Sequence, residues 1–315
     1  MKKMAFISFI LPAYKKKFLK EAIDSILAQS YSDFELVIVD DASPENLEQV
    51  ISTYNDNRIR YFKNEKNIGD ENLVRQWTHC IGYARGEYLV LAADDDVYHP
   101  DFLKECVRLA EKYPQVDLVR SRVEQIDKNG DLIGIDGILP EYCLKYGLVF
   151  YWMRATAYTC IGNYMFRTSV LKEKGFVDFP CAFGSDTASA VAMAENGVAN
   201  TSEMLFKFRI SSIHLSNNKG RLKEKLEANT LLFKWLSALN YERPKDRVDL
   251  FYYNQIQWND LYLKCNYDYF NVVIKNLPFS KIGWIRKCEL LSGKDKMIMA
   301  LRFILCKIEK LFKFH

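Results

Sequence analysis

Apolar runs alternate with amphipathic segments through the first 125 residues of this 315-residue chain. Runs rich in β-branched and aromatic residues predict strands, most of them buried on both faces, at 5–11, 34–39, 58–63, 87–92 and 116–124. Apolar residues at helical spacing predict helices at 18–30, 44–54, 70–84 and 100–112. This alternation predicts an α/β fold, in which helices flank a mostly parallel central sheet.

The second half of the chain follows a less regular pattern. Residues 129–137 (NGDLIGIDG) predict a hairpin, residues 187–196 a helix that ends at Gly197, and residues 222–275 a run of helices. We therefore expect one α/β domain over 1–215, with halves 1–125 and 126–215, then a helical extension over 216–280 and a basic amphipathic tail over 281–315.

Polar residues follow the predicted strands at the points where four of them end. These segments are Pro12-Ala13-Tyr14, Asp40-Asp41, 64–69 and Asp94-Asp95-Asp96. The carboxyl ends of strands in an α/β sheet line a ligand crevice. Three adjacent carboxylates repel one another unless a cation lies between them, and Mg²⁺ or Mn²⁺ held by carboxylates takes phosphate oxygens as its other ligands. The pattern indicates a metal–diphosphate site, although an acidic turn that caps the next helix is the alternative.

Charge and cysteine usage narrow the class of protein. The net charge of +4 comes from residues 281–315, which carry +6, so the rest sums to −2 and gives no reason to expect a nucleic-acid partner. The eight cysteines form no CxxC pair, which is typical of a reducing cytoplasm. The apolar run near the N-terminus breaks at Pro12 and predicts a strand rather than a signal peptide.

Five motifs in this order resemble the family 2 glycosyltransferases, which have the GT-A fold. They are FILPAY (9–14), SILAQSYSDFELVIVDDAS (25–43), NEKNIG (64–69), ARGEYLVLAADDDVYHPDFL (84–103) and GFVDFPCAFGSDTASAVAMAENG (175–197). The resemblance implies that 1–125 is the nucleotide-binding half and 126–215 the acceptor-binding and catalytic half. It also implies an inverting transfer of a sugar from a nucleoside diphosphate sugar, with UDP as the expected carrier, to the hydroxyl of a saccharide or lipid-linked saccharide.

The resemblance also assigns roles to single residues. Residues expected to contact the nucleotide sugar are Pro12, Ala13, Tyr14, Asp41, Asn67, Arg75, Asp94 and Asp95. Asp95 is the expected ligand of Mn²⁺ or Mg²⁺, and Asp96 and His214 are further candidates. A solvated helix face is the alternative for Arg75.

Asp186 is the expected catalytic base, because it matches the second acid of an ED-like pair that precedes a helix in inverting members. The alternative is that Asp186 caps the helix 187–196. Two positions depart from the family pattern: Ala93 replaces the first acid of a D-x-D-D motif, and Ser185 replaces the usual Glu. These departures motivate a second hypothesis, a catalytically inactive protein that binds a nucleotide sugar or acts as a scaffold.

The tail contains an apolar stripe on a basic helix. Met297, Leu301, Ile304, Leu305, Ile308, Leu311 and Phe312 share the stripe, and Arg302, Lys307, Lys310 and Lys313 lie off it. A basic amphipathic helix is typical of a segment that lies on an anionic membrane surface. We therefore expect a cytoplasmic protein that can attach to the inner face of the membrane in bacterial surface polysaccharide assembly. The alternative is a helix docked on the protein's own core.

Overall fold

The structure, a computed structural model, describes residues 5–210, 219–239 and 242–312. The chain divides into two compact units, and the second includes a short segment that interrupts the first in sequence. Unit 1 comprises Met1–Asp178 and Ser185–Ser212, and unit 2 comprises Phe179–Gly184 and Ile213–His315. The predicted boundaries at residues 215 and 280 stay predictions.

Within the described residues, unit 1 contains ten strands that form one sheet. They are β1 (Ile7–Ala13), β2 (Phe34–Asp40), β3 (Ile59–Lys63), β4 (Tyr88–Leu91), β5 (Val97–Tyr98), β6 (Leu118–Ile126), β7 (Leu132–Ile135), β8 (Tyr142–Cys143), β9 (Tyr164–Arg167) and β10 (Val198–Arg209). The strand order is β3-β2-β1-β4-β9-β6-β10-β5, with β7 beside β6 and β8 beside β10.

The sheet is parallel where the chain alternates strand and helix. Strands β3, β2, β1 and β4 are all parallel, as the sequence predicts. Strand β6 departs from the predicted parallel alternation because it does not pair with β4. Strand β9 lies between the two and runs antiparallel to both. The predicted hairpin is confirmed, since β7 runs antiparallel to β6 after a turn at 127–131. The α/β fold with a helix-flanked central sheet is thus confirmed, with antiparallel strands added by the second half.

The helices of unit 1 that the sequence predicts are present, with one exception, and the structure adds two that it does not predict, at Lys145–Met153 and Thr168–Lys174. They are α1 (Leu19–Leu27), α2 (Glu48–Ile51), α3 (Leu73–Ile81), α4 (Phe102–Lys112), α5 (Lys145–Met153), α6 (Thr168–Lys174) and α7 (Ser185–Met193). The exception is α2, which is a single turn and does not begin at Pro44. Ser43 Oγ accepts the N–H of Glu45 at 3.0 Å, and Asn46 Oδ1 accepts the N–H of Gln49 at 3.3 Å, so local side-chain bonds hold this segment as a turn.

Alternating side chains of β1 belong to two different layers. Phe9 and Leu11 join α1 and α4 in one continuous core on one face of the sheet, whereas Ile10 points to the opposite face, on which α3 packs. All three are fully buried. Because both faces are covered, the polar ends of these strands are the positions where the sheet can meet a ligand.

Unit 2 is helical in its described part. Its α-helices are α8 (Leu222–Ala238), α9 (Arg247–Asn254), α10 (Trp258–Asp268) and α11 (Gly293–Phe312). Ser292 caps α11 by accepting the N–H of Asp295 at 3.1 Å. Met299 and Phe303 of α11 are buried, and the ring of Phe303 stacks on Phe279 at 6.1 Å. One face of α11 is therefore docked within unit 2.

Candidate active site

The ends of β1, β2 and β3 lie side by side, as the sequence predicts. The register pairs Ala13 with Asp40, and Asp40 with Lys63. The N–H of Asp41 donates to the carbonyl of Ala13 at 3.0 Å, and the N–H of Asn64 donates to the carbonyl of Asp40 at 2.8 Å. The three segments that follow these strands therefore start from one edge of the sheet.

The two adjacent acids after β2 have different roles. Asp40 is fully buried and accepts the N–H of Ser43 at 2.8 Å and the hydroxyl of Tyr61 at 3.1 Å. Ala42, which lies between Asp41 and Ser43, adopts a left-handed backbone with φ of 53°. Such a conformation is strained for a residue with a Cβ and is frequent at functional sites. Asp40 thus stabilises the turn, which leaves Asp41 to face the next loop.

Asp41 organises the loop 64–69. Its Oδ1 accepts Asn64 Nδ2 at 2.7 Å and the N–H of Ile68 at 2.9 Å, and its Oδ2 accepts the N–H of Gly69 at 2.8 Å. A Cβ on Gly69 would lie only 3.0 Å from Asp41 Oδ2, so glycine permits this approach. Within the same loop, Asn67 Oδ1 accepts the N–H of Asp70 at 2.8 Å. Asp41 does not cap the helix that follows β2, since its carboxylate accepts these three bonds from the loop 64–69.

Asp94 ties the acidic segment to the end of β1. Its Oδ2 accepts the N–H groups of Tyr14 at 2.8 Å and Lys15 at 2.7 Å. Burial, together with the negative charge of Asp95, raises the pKa of Asp94 to about 6. The three acids do not cap the next helix, because α4 begins at Phe102 with Asp101 at the N-cap position.

Asp95 and Asp96 are both buried, at 5% and 2% exposure, and burial raises the pKa of each carboxyl. Arg209, the last residue of β10, holds this segment in place. Its N–H donates to Asp96 Oδ1 at 2.9 Å, and its Nε donates to the carbonyl of Asp95 at 2.8 Å. The guanidinium also bonds Glu21 Oε2 at 2.7 Å and lies over the ring of Phe18. The acids are therefore fixed by the fold itself.

An aromatic cluster anchors the chain directly after the acids. The ring of Tyr98 lies 5.0 Å from Phe9, 4.8 Å from Phe102 and 5.1 Å from Phe206. Its hydroxyl donates to the carbonyl of Gly162 at 2.9 Å. Each such aromatic pair contributes on the order of 1 kcal/mol beyond area burial. The cluster restricts the acidic segment from its other end.

Asp186 lies in the first turn of α7, which begins at Ser185. Its Oδ1 accepts the N–H of Thr187 at 2.7 Å, and the hydroxyl of Thr187 bonds that of Thr159 at 2.7 Å. Burial raises the pKa of Asp186 to about 6. A carboxylate whose pKa lies near neutrality is suited to accept a proton from a hydroxyl. Because the helix starts one residue earlier, Asp186 is not its N-cap residue.

Contacts from α3 fix the segment that precedes α7. Asn72 caps α3 and donates from Nδ2 to Asp178 Oδ2 at 2.7 Å, while Trp77 packs edge-on against Phe176 at 5.6 Å. Burial raises the pKa of the Cys160 thiol, and the negative charges of Asp96 and Asp186 raise it further. Asp96 and Asp186 therefore both lie near Cys160 in unit 1.

A scan against protein-family models matches residues 8–175 to the model described as Glycosyl transferase family 2. The matched region covers more than half of the chain and extends from β1 through the acidic segment to the end of α6. The chain belongs to glycosyl transferase family 2.

Curated relatives are glycosyltransferases by name. An uncharacterized glycosyltransferase of Methanocaldococcus jannaschii is 33% identical over 40% of this chain and 44% of its own length. The putative glycosyltransferase EpsE of Bacillus subtilis is 31% identical over 50% of this chain and 59% of its own length. The putative colanic acid biosynthesis glycosyl transferase WcaA of Escherichia coli is 39% identical over 33% and 37%. The chain thus matches only part of each relative.

Solved structures show the same fold at low identity. Staphylococcus aureus TarS 1–349 in complex with UDP-GlcNAc has a TM-score of 0.65 and 18% identity, and the match covers 96% of this chain and 81% of TarS. The mannosyltransferase PcManGT of Pyrobaculum calidifontis, in complex with GDP-Man and Mn²⁺, has a TM-score of 0.55 and 15% identity, over 100% and 89%. The GT-A-type fold expected of a family 2 member is confirmed.

The structure does not bring every expected residue of this family 2 protein to the strand ends. Tyr14 (38% exposed) and Asn67 lie beside Asp41 and Asp94, whereas Arg75 projects into solvent with a side chain 71% exposed, 3.9 Å from Glu71. His214 lies outside the described residues. The roles of all these residues stay predictions.

Sequence reasoning did not assign a role to Lys15, and it assigned Arg209 no contact with the three acids. The positive charge of Lys15 lowers the pKa of both Asp94 and Asp95, against the larger effect of burial. The run Lys15-Lys16-Lys17 after a strand end could have been recognised as a cationic counterpart of the three acids. Arg209 could not have been placed, because its contacts join residues more than 80 positions apart.

The donor set suits a divalent cation that the substrate helps to bind. Among the described residues no cluster of three or more His, Cys, Asp or Glu side chains is arranged to hold a metal ion. Asp95 and Asp96 nevertheless supply two carboxylates whose pKa values are raised by burial, and for Asp96 also by the neighbouring charges of Asp95 and Asp94. Mg²⁺ and Mn²⁺ sites commonly use one or two carboxylates and take phosphate oxygens for the remainder. The residues present fit such a site.

Proposed function

We propose that this family 2 protein is an inverting glycosyltransferase that transfers a sugar from a nucleoside diphosphate sugar to an acceptor hydroxyl. The observation that carries the proposal is that the acidic segment and Asp186 both lie near the buried Cys160 in unit 1. Three carboxylates follow β4, and Asp186 has its pKa raised to about 6 at the start of α7. This arrangement combines a site for a diphosphate–metal pair with a separate general base.

The donor would lie across the ends of β1 and β2. Asp41 keeps lone pairs that can accept a base N–H, while Pro12, Ala13 and Tyr14 would line the base and ribose. Asp94 holds the backbone of Tyr14 and Lys15 in place, and its Oδ1 would remain for a ribose hydroxyl. UDP is the favoured carrier because TarS, which shares the fold, was solved with UDP-GlcNAc.

Asp95, with Asp96 beside it, would hold Mn²⁺ or Mg²⁺ together with the donor diphosphate. A bound cation would supply Lewis-acid stabilisation of the charge that develops on the leaving diphosphate. Arg209 orients the carboxylate of Asp96 through its backbone N–H and holds the backbone carbonyl of Asp95 through its Nε. The Lys15 side chain adds positive charge near the same acids.

Asp186 would act as the general base in a single displacement. The acceptor oxygen forms a bond to C1 of the sugar as the bond between C1 and the diphosphate oxygen breaks. The electron pair of that bond leaves with the diphosphate, and the hydroxyl proton moves to the carboxylate of Asp186. Attack opposite the leaving group inverts the configuration at C1.

We place the protein in surface polysaccharide assembly at the cytoplasmic face of a membrane. WcaA bears a name from colanic acid biosynthesis, and all eight cysteines, which lie in the described ranges, are free thiols. No helix in the described ranges is long and apolar enough to cross a membrane. On α11, opposite its docked face, Met297, Leu301, Leu305 and Ile308 are 42–68% exposed. An anionic membrane surface would complement this apolar stripe and the basic residues of the tail.

The deciding experiment is a donor screen with the purified protein. We would measure the shift in melting temperature with UDP, GDP, TDP and CMP in the presence of Mn²⁺, and then UDP release from UDP-sugars with saccharide acceptors. Stabilisation by one nucleoside diphosphate and release of that nucleotide with product would support the proposal. Stabilisation without product across the panel would favour an inactive donor-binding protein. The absence of both stabilisation and product would refute the proposal.

A further inference from the structure

Residues 132–138, which read LIGIDGI, carry four aliphatic side chains that the fold leaves in solvent. The exposed fractions are 59% for Leu132, 54% for Ile133, 58% for Ile135 and 67% for Ile138. Single exposed apolar residues are ordinary on protein surfaces, but four within seven residues form a cluster that needs a reason. The proposed sugar transfer makes no use of it.

This cluster lies on a sheet edge. Strand β7 pairs with β6 and with no other strand in the described part of the chain. The N–H of Asp136 donates to the carbonyl of Val123 in β6 at 3.0 Å. Because successive N–H groups of a strand point to opposite sides, the N–H of Ile135 points away from β6. Edge strands are usually protected by lysine, proline or a covering element, and the sequence of β7 contains neither lysine nor proline.

The outward backbone groups of β7 can be paired by another strand but not by lipid. Hydrocarbon offers no partners for the outward backbone groups of an edge strand, and leaving such groups unpaired costs several kcal/mol each. The turn that leads into β7 is also polar and exposed, with Lys128, Asn129 and Asp131 next to the cluster. An added strand would satisfy the backbone and cover the aliphatic side chains together.

The same edge of a second copy is a fitting strand. Antiparallel pairing about a two-fold axis centred on Gly134 would place Ile133 of one copy opposite Ile135 of the other. No charged side chain interrupts this stretch. Asp136 at its end is 1% exposed and forms a buried ion pair with Arg120, so it presents no free charge to a neighbour.

We propose that the protein forms a homodimer through antiparallel pairing of its two β7 edges, with Leu132, Ile133, Ile135 and Ile138 as the apolar contacts. The assembly does not depend on donor, metal or acceptor. Its test is therefore separate from that of the proposed glycosyltransferase activity.

Sedimentation velocity of the full chain over a range of concentrations tests the proposal. The unmodified protein should show a monomer–dimer equilibrium. Ile133→Lys combined with Ile135→Lys should raise the dimer Kd by at least about tenfold, because like charges would face each other across the pair. Ile135→Pro, which removes the outward N–H and is tolerated on an edge strand, should weaken the dimer without adding charge.

Leu263→Lys combined with Tyr267→Lys on α10 is the matched control, since these side chains are 68% and 59% exposed and belong to unit 2, not to the sheet. This control should leave the Kd unchanged, and circular dichroism would confirm the fold of each variant. If the edge variants do not fold, amide exchange of the unmodified protein decides: protection of 132–136 should rise with concentration. A monomer at every soluble concentration, a dimer indifferent to the edge variants, or edge-dependent flotation of a monomer with neutral vesicles would overturn the proposal.

Discussion

Replacing Asp186 by Asn separates the catalytic role of this residue from a purely structural one. The amide retains an oxygen that can accept the N–H of Thr187, which Asp186 Oδ1 accepts at 2.7 Å. Asn cannot take a proton from an acceptor hydroxyl, however. Loss of a general base is expected to lower the transfer rate by roughly 10²–10⁴-fold, with donor affinity unchanged.

The same substitution should stabilise the protein at neutral pH. Burial raises the pKa of Asp186 from 3.8 to about 6. Folding therefore favours the protonated carboxyl, and the ionised form destabilises the native state by up to about 3 kcal/mol. The penalty is absent below pH 3.8, grows as pH rises through the interval between the two pKa values, and is complete above pH 6. Asp186→Asn should thus match the wild type near pH 4 and exceed its stability at pH 7.5.

Urea unfolding followed by circular dichroism at pH 4, 5, 6 and 7.5 measures this difference, and the pH profile of kcat measures the catalytic role. In the wild type kcat should rise with pH to a plateau, with an apparent pKa of about 6, because only the ionised carboxylate accepts a proton. Asp246→Asn is the matched control. Asp246 is an exposed N-cap that accepts the N–H groups of Val248 and Asp249, and these bonds lower its pKa. That control should therefore gain no stability as pH rises.

Two results would refute the reasoning. Transfer by Asp186→Asn at the wild-type rate would show that the base lies elsewhere. A stability difference between wild type and variant that does not change between pH 4 and 7.5 would show that the environment of Asp186 does not disfavour its charge.

Four further variants test other parts of the structure. Asp95→Asn should weaken UDP binding in Mn²⁺ by at least about tenfold in calorimetry, since one metal-ligand charge is lost; unchanged affinity would contradict the assignment. Ala42→Gly should stabilise the fold by about 1 kcal/mol in urea unfolding, because φ at this position is 53°. Leu301→Ser with Leu305→Ser should reduce co-sedimentation with phosphatidylglycerol vesicles without lowering Tm, and equal sedimentation would end the membrane hypothesis. Phe303→Ala should cost about 3–5 kcal/mol in the same unfolding assay, because this ring is fully buried.

The parallel half of the fold could be predicted from the sequence because its signals are local. Each strand of β1, β2 and β4 is a short apolar run bounded by polar residues, and its helices carry a clear apolar periodicity. The position of β9 could not be predicted, since its four residues reach β4 from about 75 positions along the chain. No local pattern records which buried strands become neighbours.

For the tail, the sequence allows two alternatives, a helix on a membrane surface and a helix docked on the protein. The structure shows a docked face and an exposed apolar face on α11, and membrane attachment stays a prediction. Helix periodicity separates Phe303, which is buried, from Leu301 and Leu305, which are 62% and 59% exposed. Docking uses one face and leaves the opposite one open. Deleting residues 281–315 would therefore remove part of the core of unit 2 together with the exposed stripe, which is why substitutions on the exposed face give the sharper test.

The candidate site was predictable in its acids but not in what holds them. The sequence shows three like charges directly after a buried strand, at Asp94, Asp95 and Asp96. Their scaffold comes from residues distant in sequence: Tyr14 and Lys15 supply N–H groups to Asp94, and Arg209 contacts Asp95 and Asp96.

Crowded carboxylates in a buried segment destabilise the fold unless something compensates their charge, and here the compensation is only partial. Backbone N–H groups, Lys15 and Arg209 lower the pKa of these acids, yet burial outweighs them, joined for Asp94 and Asp96 by the charges of neighbouring carboxylates, so the pKa values stay raised. A rigid site with residual repulsion is one that a divalent cation would relieve without reorganising the chain. Cation binding should therefore raise Tm as well as donor affinity, and both effects should vanish together in Asp95→Asn.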